Sequence, residues 1–222
     1  MKYLFKDRKD AGEQLAKVLS TYAELEDVLV LALPRGGVPV AYEVAKELSL
    51  PFDVWIVRKI GVPGHEEYAM GDIAMGDLGH INPDIARGLN IPENLINKVV
   101  AKERKELARR HKLYRGDRPK IELDKKTIIV VDDGLATGST MKAAIESLRH
   151  AGAEEIIVAV PVGAPDNVKS LESIADKVIC LYTPQPFYGV GAWYQDFSQT
   201  DDSEVQELLW DQPWINSLEE AS

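Results

Sequence analysis

The stretch Thr127-Ile-Ile-Val-Val-Asp-Asp-Gly-Leu-Ala-Thr-Gly-Ser-Thr140 decides the fold of this chain. A β-branched run ends in two adjacent carboxylates, a short loop of threonine, glycine and serine follows, and a helix-compatible sequence begins at Met141. The pattern predicts a buried strand, a turn and a helix start. In an open α/β sheet, such a junction lies at the carboxyl end of a strand, where ligands bind.

The chemistry of this loop indicates a phosphorylated sugar. Gly138 lets the backbone come close to a ligand, neighbouring residues offer hydroxyls, and the amides of the helix start can hold a phosphate without a lysine. Asp132 and Asp133 can accept hydrogen bonds from a diol or approach a hydrated metal ion. A diol at one end and a phosphate at the other describe a ribose 5-phosphate. The structural alternative is an aspartate pair that only caps a turn.

Two other phosphate motifs do not fit the sequence. A Walker loop needs a lysine where Ser139 stands, and the spacing from Gly134 to Gly138 is one residue short. Gly189-Val-Gly191 is only a fragment of a dinucleotide fingerprint, because no helix entry with a third glycine follows it.

Asp132 to Thr140, with two acids, a short apolar stretch and Thr-Gly-Ser-Thr, resembles the phosphoribosyl pyrophosphate (PRPP) signature of type I phosphoribosyltransferases. Three further segments match that family in order, over most of residues 28–200. The resemblance implies that Asp132 and Asp133 bind the ribose and, through water, Mg²⁺. It implies that the following residues bind the 5′-phosphate: Ala136, Thr137, Gly138, Ser139 and Thr140.

The first further segment is Val28-Leu-Val-Leu-Ala-Leu-Pro-Arg-Gly-Gly-Val-Pro-Val40, a predicted strand, turn and helix. Paired glycines allow backbone geometry that is closed to other residues, and an arginine beside them can face an anion. The turn resembles the family's pyrophosphate-binding loop, which often holds a strained or cis peptide. The resemblance therefore assigns pyrophosphate binding to Arg35, Gly36 and Gly37. As a structural alternative, the two glycines only form a strand-to-helix turn.

The second segment runs from Phe52 to Gly71 and is predicted to be a strand that delivers Arg58 and Lys59 to a long glycine- and proline-containing loop. Two cations at a strand end are costly unless an anion or water meets them. The segment is similar to the family's catalytic flap, most closely that of adenine-type enzymes. The resemblance makes Arg58, Lys59 and Glu67 catalytic, with Glu66 as the alternative acid, whereas solvated loop charge would also explain the glutamates.

The third segment is Phe187-Tyr-Gly-Val-Gly-Ala-Trp-Tyr-Gln-Asp-Phe197, where aromatic residues stand among glycines. Aromatic rings can stack on a flat ligand while backbone groups read its edge. By resemblance to purine-salvage members, Phe187 is the first candidate for stacking on the base and Trp193 the second. Aromatic residues that only close the end of the sheet are the alternative.

The chain alternates predicted strands and helices, which indicates a parallel sheet with helices on both faces. We expect helices near 8–23 and 38–48, and strands at 28–33, 52–58, 127–132, 155–161 and 177–182. With the resemblance, this predicts an α/β, doubly wound, mostly parallel sheet of about five strands with a helical insertion and a small C-terminal hood. Residues 1–222 are interpreted as one domain, with the insertion at 72–120 and the hood and C-terminal helix at 184–222.

The insertion contains a predicted helix from about Pro92 to Tyr114 that carries a basic stripe. Its cations recur every three or four residues and would share one helical face. They are Lys98, Lys102, Lys105, Arg109 and Lys112. A solvated face explains the stripe, and the alternative is a surface at the active-site mouth, or a dimer partner's site, that steers a polyanionic substrate.

The composition of the chain limits which binding partners, which disulfides and which cellular location we expect. The formal net charge of −10 disfavours a nucleic-acid surface. The single cysteine, Cys180, cannot form an internal disulfide. The N-terminus lacks the apolar run of a signal peptide, and no run is long enough to span a bilayer, so we expect a cytoplasmic protein. Homodimers are common in the family, and the tail from Trp210 to Trp214 could contribute to one.

The function that the resemblance implies is Mg²⁺-dependent transfer of phosphoribose from PRPP to a nucleobase nitrogen, with release of pyrophosphate. Hypoxanthine–guanine-type members carry an acid at the position of Ala136, so this chain leans away from 6-oxopurines. Two alternatives stay open: a PRPP-sensing regulator with weak or no catalysis, and an enzyme with a non-base acceptor. Fold resemblance alone does not decide between them.

Overall fold

The computed structural model describes residues 3–74 and 80–214, without the side chains of Glu66, Glu67 and His80. The main sheet contains β1 (Val28–Ala32), β2 (Phe52–Val54), β6 (Thr127–Val131), β7 (Glu155–Val162) and β8 (Lys177–Tyr182). Its five strands are all parallel and lie in the order β2-β1-β6-β7-β8. The predicted doubly wound α/β sheet is therefore confirmed.

Helices cover both faces of this sheet. The helices of the chain are α1 (Arg8–Val18), α2 (Gly37–Leu48), α3 (Pro83–Gly88), α4 (Glu93–Arg115), α5 (Ser139–His150), α6 (Pro165–Leu171) and α7 (Asp202–Trp210). In β1, Val28 and Val30 share one buried cluster with α1 and α2, whereas Leu29 and Leu31 share another with α5 and α6. Because both faces are buried, the strands read as continuous apolar runs and not as alternating ones.

The segment after β2 differs from the sequence-based expectation. The predicted strand 52–58 ends at Val54, and Arg58 and Lys59 belong to a separate strand, β3 (Val57–Val62), which pairs antiparallel with β4 (His65–Ala74). The expected long loop is thus a hairpin with Pro63-Gly64 at its turn, and β5 (His80–Ile81) adds a third strand. The hairpin forms because its apolar side chains are buried against the domain. They are Ile60, Val62, Met70 and Ile73.

The long helix α4 confirms the helix that was predicted from about 92 to 114. It crosses near the start of the hairpin and ends beside α7, where Leu107 and Tyr114 of α4 share a buried cluster with Val205 and Leu209 of α7. Arg115 at its end is 2% exposed and pairs with Asp53 of β2, with Nε 2.9 Å from Oδ1. Within the described ranges, no helix combines the length and apolar character needed to cross a bilayer.

Candidate active site

The candidate site lies at the carboxyl edge of the sheet, where β1 and β6 end side by side. Ala32 is the register partner of Val131, and the Leu33 amide donates to the Val131 carbonyl at 2.9 Å. The two segments that follow, Pro34–Gly37 and Asp132–Thr140, therefore begin at the same point of the edge. The sheet brings together two motifs that lie about one hundred residues apart in the chain.

Gly36 and Gly37 are needed for close approach and not for an unusual backbone. Gly36 has φ −59° and ψ −31°, which any residue adopts, so the expectation of a special glycine geometry is wrong there. A Cβ on Gly36 would lie 2.1 Å from Asp133 Oδ2, and one on Gly37 would lie 2.7 Å from the Val131 carbonyl oxygen. The peptide between Pro34 and Arg35 is cis, in line with the resemblance.

Asp132 and Asp133 are both partly buried, and 14% of the Asp133 side chain is exposed. The pKa of Asp132 is raised above its usual range, mainly by burial and to a smaller extent by the neighbouring Asp133 carboxylate. Burial also raises the pKa of Asp133, and the Arg8 guanidinium opposes that shift. Arg8 Nη2 lies 2.8 Å from Asp133 Oδ2, and the Tyr194 hydroxyl donates to the Asp133 carbonyl at 2.6 Å.

Arg8 is the main residue at this site that the sequence analysis missed. It lies 125 positions from Asp133 in the chain, in no recognisable motif, at the start of a helix that has an ordinary pattern. Only the folded chain shows that α1 begins beside the end of β6.

The loop from Ala136 to Thr140 leads directly into the start of helix α5. Gly138 takes a left-handed backbone with φ 70° and ends the turn, and α5 begins at the next residue with no side chain capping it. Thr137 Oγ1 and Ser139 Oγ are 3.0 Å apart, while Thr137 and Thr140 are exposed. The side-chain amide of Asn167 donates to the Ala136 carbonyl and fixes the loop from the β7 side. An open helix start with adjacent hydroxyls suits an anion.

Arg35 lies at the edge of the site and already has an anionic partner. Its Nη1 is 3.6 Å from Asp202 Oδ1 at the start of α7, and the Tyr114 hydroxyl donates to the same oxygen at 2.6 Å. About a third of the Arg35 side chain is exposed. Its pairing is therefore loose, and an incoming anion can compete with Asp202 for it.

The structure separates the two cations of the hairpin. Arg58 points to α4, where its Nε and Nη2 lie 2.9 and 2.6 Å from Glu103 Oε2. Lys59 is the next residue along β3, so it lies on the opposite face, and it is exposed. The side chains of Glu66 and Glu67 lie outside the described part of the structure.

The hood, which comprises residues 184–201 before α7, closes the β7–β8 side of the edge. Trp193 is 8% exposed, packs in a cluster with Phe5 and Tyr194, and its Nε1 has no hydrogen-bond partner among the described residues. Phe187 is less buried, with its ring centre 6.4 Å from that of Trp193. Of the two stacking candidates, Phe187 is the more accessible. Tyr188, which the sequence analysis did not single out, is 64% exposed.

The basic stripe of α4 faces away from the domain. All five of its cations are exposed, whereas Glu103 and Leu107 on the opposite side of the helix are buried. Arg109 pairs with Glu106 on its own helix, Nε to Oε2 at 2.8 Å. The exposed position fits a solvated face, and it leaves substrate steering as a prediction.

A cleft of about 810 Å³ lies away from this edge, between the end of α4, residues 118–124 and the end of α5. Its volume is that of a ligand pocket, but its two arginines are already engaged. Arg115 is bound to Asp53, and Arg118 donates to the Leu209 carbonyl at 2.9 Å and lies over the Trp210 ring. The motif-lined edge therefore remains the candidate site.

Comparison with known proteins agrees with this geometry. A family model described as the phosphoribosyl transferase domain matches residues 5–191. A Mycobacterium tuberculosis protein, whose name assigns it provisionally to the phosphoribosyl transferases, is 45% identical over 206 residues in each of two strains. The match covers 93% of this chain and 46% of that protein, so the chain spans about half the length of the curated relatives it matches.

A solved structure shares the architecture. Protein TT1426 from Thermus thermophilus is 39% identical, has a TM-score of 0.84, and aligns over 96% of this chain and 99% of its own. The similarity extends over nearly the whole of both chains, so the overall fold is one that a crystal structure already contains.

Proposed function

The chain belongs to the phosphoribosyl transferase domain family, and from this premise we propose that it transfers the 5-phosphoribosyl group of PRPP to a ring nitrogen of a nucleobase. One observation carries the proposal. The carboxylates that follow β6 and the Arg35–Gly37 turn that follows β1 meet at one edge, close enough that a Cβ on Gly36 would overlap Asp133. A ligand bound there would contact both motifs at once.

In this proposal, the amides at the start of α5 and the hydroxyls of Thr137 and Ser139 hold the 5′-phosphate. Asp132 accepts hydrogen bonds from the ribose hydroxyls. Arg35 leaves its loose pair with Asp202 and binds the pyrophosphate, which Lys59 approaches from the hairpin. The chain carries a net charge of −10, so its affinity for a polyanion must come from such local groups.

The reaction would proceed by displacement at the anomeric carbon. The acceptor nitrogen forms a bond to this carbon while its bond to the pyrophosphate oxygen breaks, and the nitrogen loses its proton to solvent or to Glu67. Positive charge develops on the ribose and negative charge on the leaving group. The protein contributes by holding both groups in place and by stabilising the departing charge, so no covalent enzyme nucleophile is needed.

Mg²⁺ fits the donor set as a substrate-borne ion. Among the described residues, no group of three or more carboxylate, imidazole or thiol side chains could enclose a metal. Mg²⁺ is commonly held by one or two carboxylates, water and substrate phosphates. Asp132 is the available carboxylate, since Asp133 is engaged by Arg8. When bound, the ion would neutralise charge on the pyrophosphate.

Two further parts of the proposal concern the acceptor. Phe187 would stack on a flat base, with Trp193 behind it, and the apolar residue Ala136 leaves no carboxylate to act on a 6-oxopurine. Stacking on Phe187 suits any flat base, and it is the missing carboxylate at Ala136 that favours a base other than hypoxanthine or guanine.

The test is Mg²⁺-dependent pyrophosphate release from PRPP across a panel of purine and pyrimidine bases, with a control that lacks any base. Release with one base would establish the transferase and name its acceptor. Release without a base would show that the acceptor is water or another molecule and not a base. Measurable PRPP binding without any release of pyrophosphate would indicate that the protein is a PRPP-sensing regulator and not an enzyme.

The residue assignment is tested by changing both carboxylates, Asp132→Asn and Asp133→Asn, in one variant. We expect turnover to fall by at least about 10²-fold, because ribose positioning is lost, while the unfolding midpoint stays high enough for assay. Asp117→Asn, at an exposed position after α4, is the matched control and should behave as the wild-type. A fully active double variant would remove the assignment.

A further inference from the structure

The side chain of Arg8 bridges two parts of the candidate site. Its Nε donates to Asp133 Oδ2 at 2.9 Å, and its Nη1 donates to the Ser198 carbonyl at 2.6 Å. Its Cζ lies 3.9 Å from the centre of the Phe197 ring. The side chain is 11% exposed, so these contacts form in a largely desolvated position. One guanidinium thus binds a carboxylate, a backbone oxygen of the hood and an aromatic ring of the hood.

The N-terminal segment before Arg8 and the hood form one unit. The amides of Leu4 and Phe5 donate to the Trp193 carbonyl at 2.9 and 3.1 Å. In return, the amides of Gln195 and Asp196 donate to the carbonyls of Phe5 and Lys6 at 2.9 and 2.8 Å. These bonds surround a parallel bridge between Phe5 and Tyr194, so residues 4–6 are paired with the hood. The hood therefore depends on the start of α1 for its position.

This unit is attached to the end of β6 through two groups of Asp133, its carboxylate and its backbone carbonyl. Arg8 binds the Asp133 carboxylate, and Tyr194 donates to the Asp133 carbonyl. Gly36 lies against the same carboxylate, where no side chain fits. The Asp133 carboxylate is therefore occupied by Arg8, which also binds the hood, and Asp132 remains as the carboxylate for the ligand. The two adjacent acids have different partners and, by this geometry, different tasks.

We propose that Arg8 is a positioning residue that fixes the acceptor side of the site by tying the hood to Asp133. The inference rests on the proposed function, since it assigns the hood to the acceptor and the Asp132–Thr140 loop to PRPP. Arginine is suited to this task because its planar fork can bind two oxygens and stack on a ring at the same time. Lysine offers one point charge and cannot replace all three contacts.

The kinetic test compares Arg8→Gln and Arg8→Lys with Lys9→Gln. Lys9 is the neighbouring residue of α1, and its exposed side chain makes only a 4.0 Å pair with Glu13. For Arg8→Gln we expect the KM for the acceptor to rise at least about tenfold and the KM for PRPP to change less than about threefold, because a displaced hood weakens one substrate only. Arg8→Lys should lie between this variant and the wild-type.

A residue that merely supports the fold would lower the apparent kcat through loss of active protein and leave both KM values unchanged. That result, or an equal rise of both KM values, would overturn the proposal. The Lys9→Gln variant should match the wild-type in all three parameters.

A second measurement decides the structural part without any activity. Hydrogen–deuterium exchange of the unliganded full chain should show faster exchange at residues 187–200 in Arg8→Gln, with helix α5 and strand β7 unchanged. Unchanged exchange in the hood, or faster exchange throughout the chain in both Arg8 variants, would overturn the proposal. If no acceptor supports turnover in the wild-type, the proposed function fails while this exchange result still decides the role of Arg8.

Discussion

Gly36→Ala tests whether the contact between the two motifs holds the site together. A Cβ at this position would lie 2.1 Å from Asp133 Oδ2 and 2.7 Å from Asp133 Cγ. Side-chain carbons essentially never come within 3.0 Å of another heavy atom in this way, so the carboxylate must move by about 1 Å. The backbone at Gly36 allows alanine, since its φ is −59°, and the whole effect therefore comes from the contact.

The expected loss of activity follows from that displacement. A shift of about 1 Å in a positioning group costs on the order of 10²-fold in rate, or about 2.7 kcal/mol of transition-state stabilisation. Crowding also lowers stability, typically by about 1–3 kcal/mol. We therefore expect Gly36→Ala to lose about 10²-fold in kcat/KM and to keep a folded structure. The assays are pyrophosphate release and urea unfolding.

Gly88→Ala is the matched control. Gly88 ends α3 at an exposed position where an added Cβ would meet no heavy atom within 4 Å, so alanine there should leave activity unchanged and stability unchanged or slightly higher. A double-mutant cycle with Asp133→Ala isolates the contact. Once the carboxylate is gone, Gly36→Ala should cost less than about 0.5 kcal/mol of unfolding free energy. An unchanged cost in that background, or Gly36→Ala activity within about twofold of the wild-type, would refute the reasoning.

Two further predictions concern charges outside the site. Asp53→Asn should lower the unfolding free energy by about 3–5 kcal/mol, because it leaves the charge of the buried Arg115 guanidinium uncompensated. Urea unfolding measures this change. As a control, Asp84→Asn removes one partner of an exposed ion pair and should change the unfolding free energy little. A result for Asp53→Asn as small as for the control would show that Arg115 is solvated. The other variant replaces three cations of the basic stripe with glutamine: Lys102, Lys105 and Arg109. It should raise the KM for PRPP at about 0.1 M salt and much less at about 1 M, where screening shortens from about 10 Å to about 3 Å, and an unchanged KM at low salt would remove the steering hypothesis.

Much of the fold could be predicted from the chain because the signals are local. A strand buried on both faces must be apolar throughout, and such runs, in alternation with helical segments, were enough to predict the parallel sheet. The positions of β1, β6, β7 and β8 were correct to within a residue. The loop from Ala136 to Thr140 was recognisable for the same reason, since its glycine, its hydroxyls and its helix start are consecutive.

The hairpin shows where local reasoning failed. Gly61, Pro63 and Gly64 suggested a long loop after the predicted strand 52–58, but Ile60 and Val62 of β3 are buried against the rest of the domain. Burial of those side chains depends on contacts with other segments and overrides the weak local preference. The same contacts turn Arg58 toward Glu103 and leave Lys59 exposed.

The sequence by itself determined the main parallel strands, the loop from Ala136 to Thr140 and the acidic pair, because each is encoded by neighbouring residues. Only the tertiary structure decided which partners those groups have. In the folded chain, Arg8 pairs with Asp133 and Arg35 pairs with Asp202. Residue 36 must be glycine because Asp133 occupies the space that a side chain would need. The physical reason is that such contacts join residues far apart in the chain, and their distances exist only after the sheet has aligned the ends of its strands.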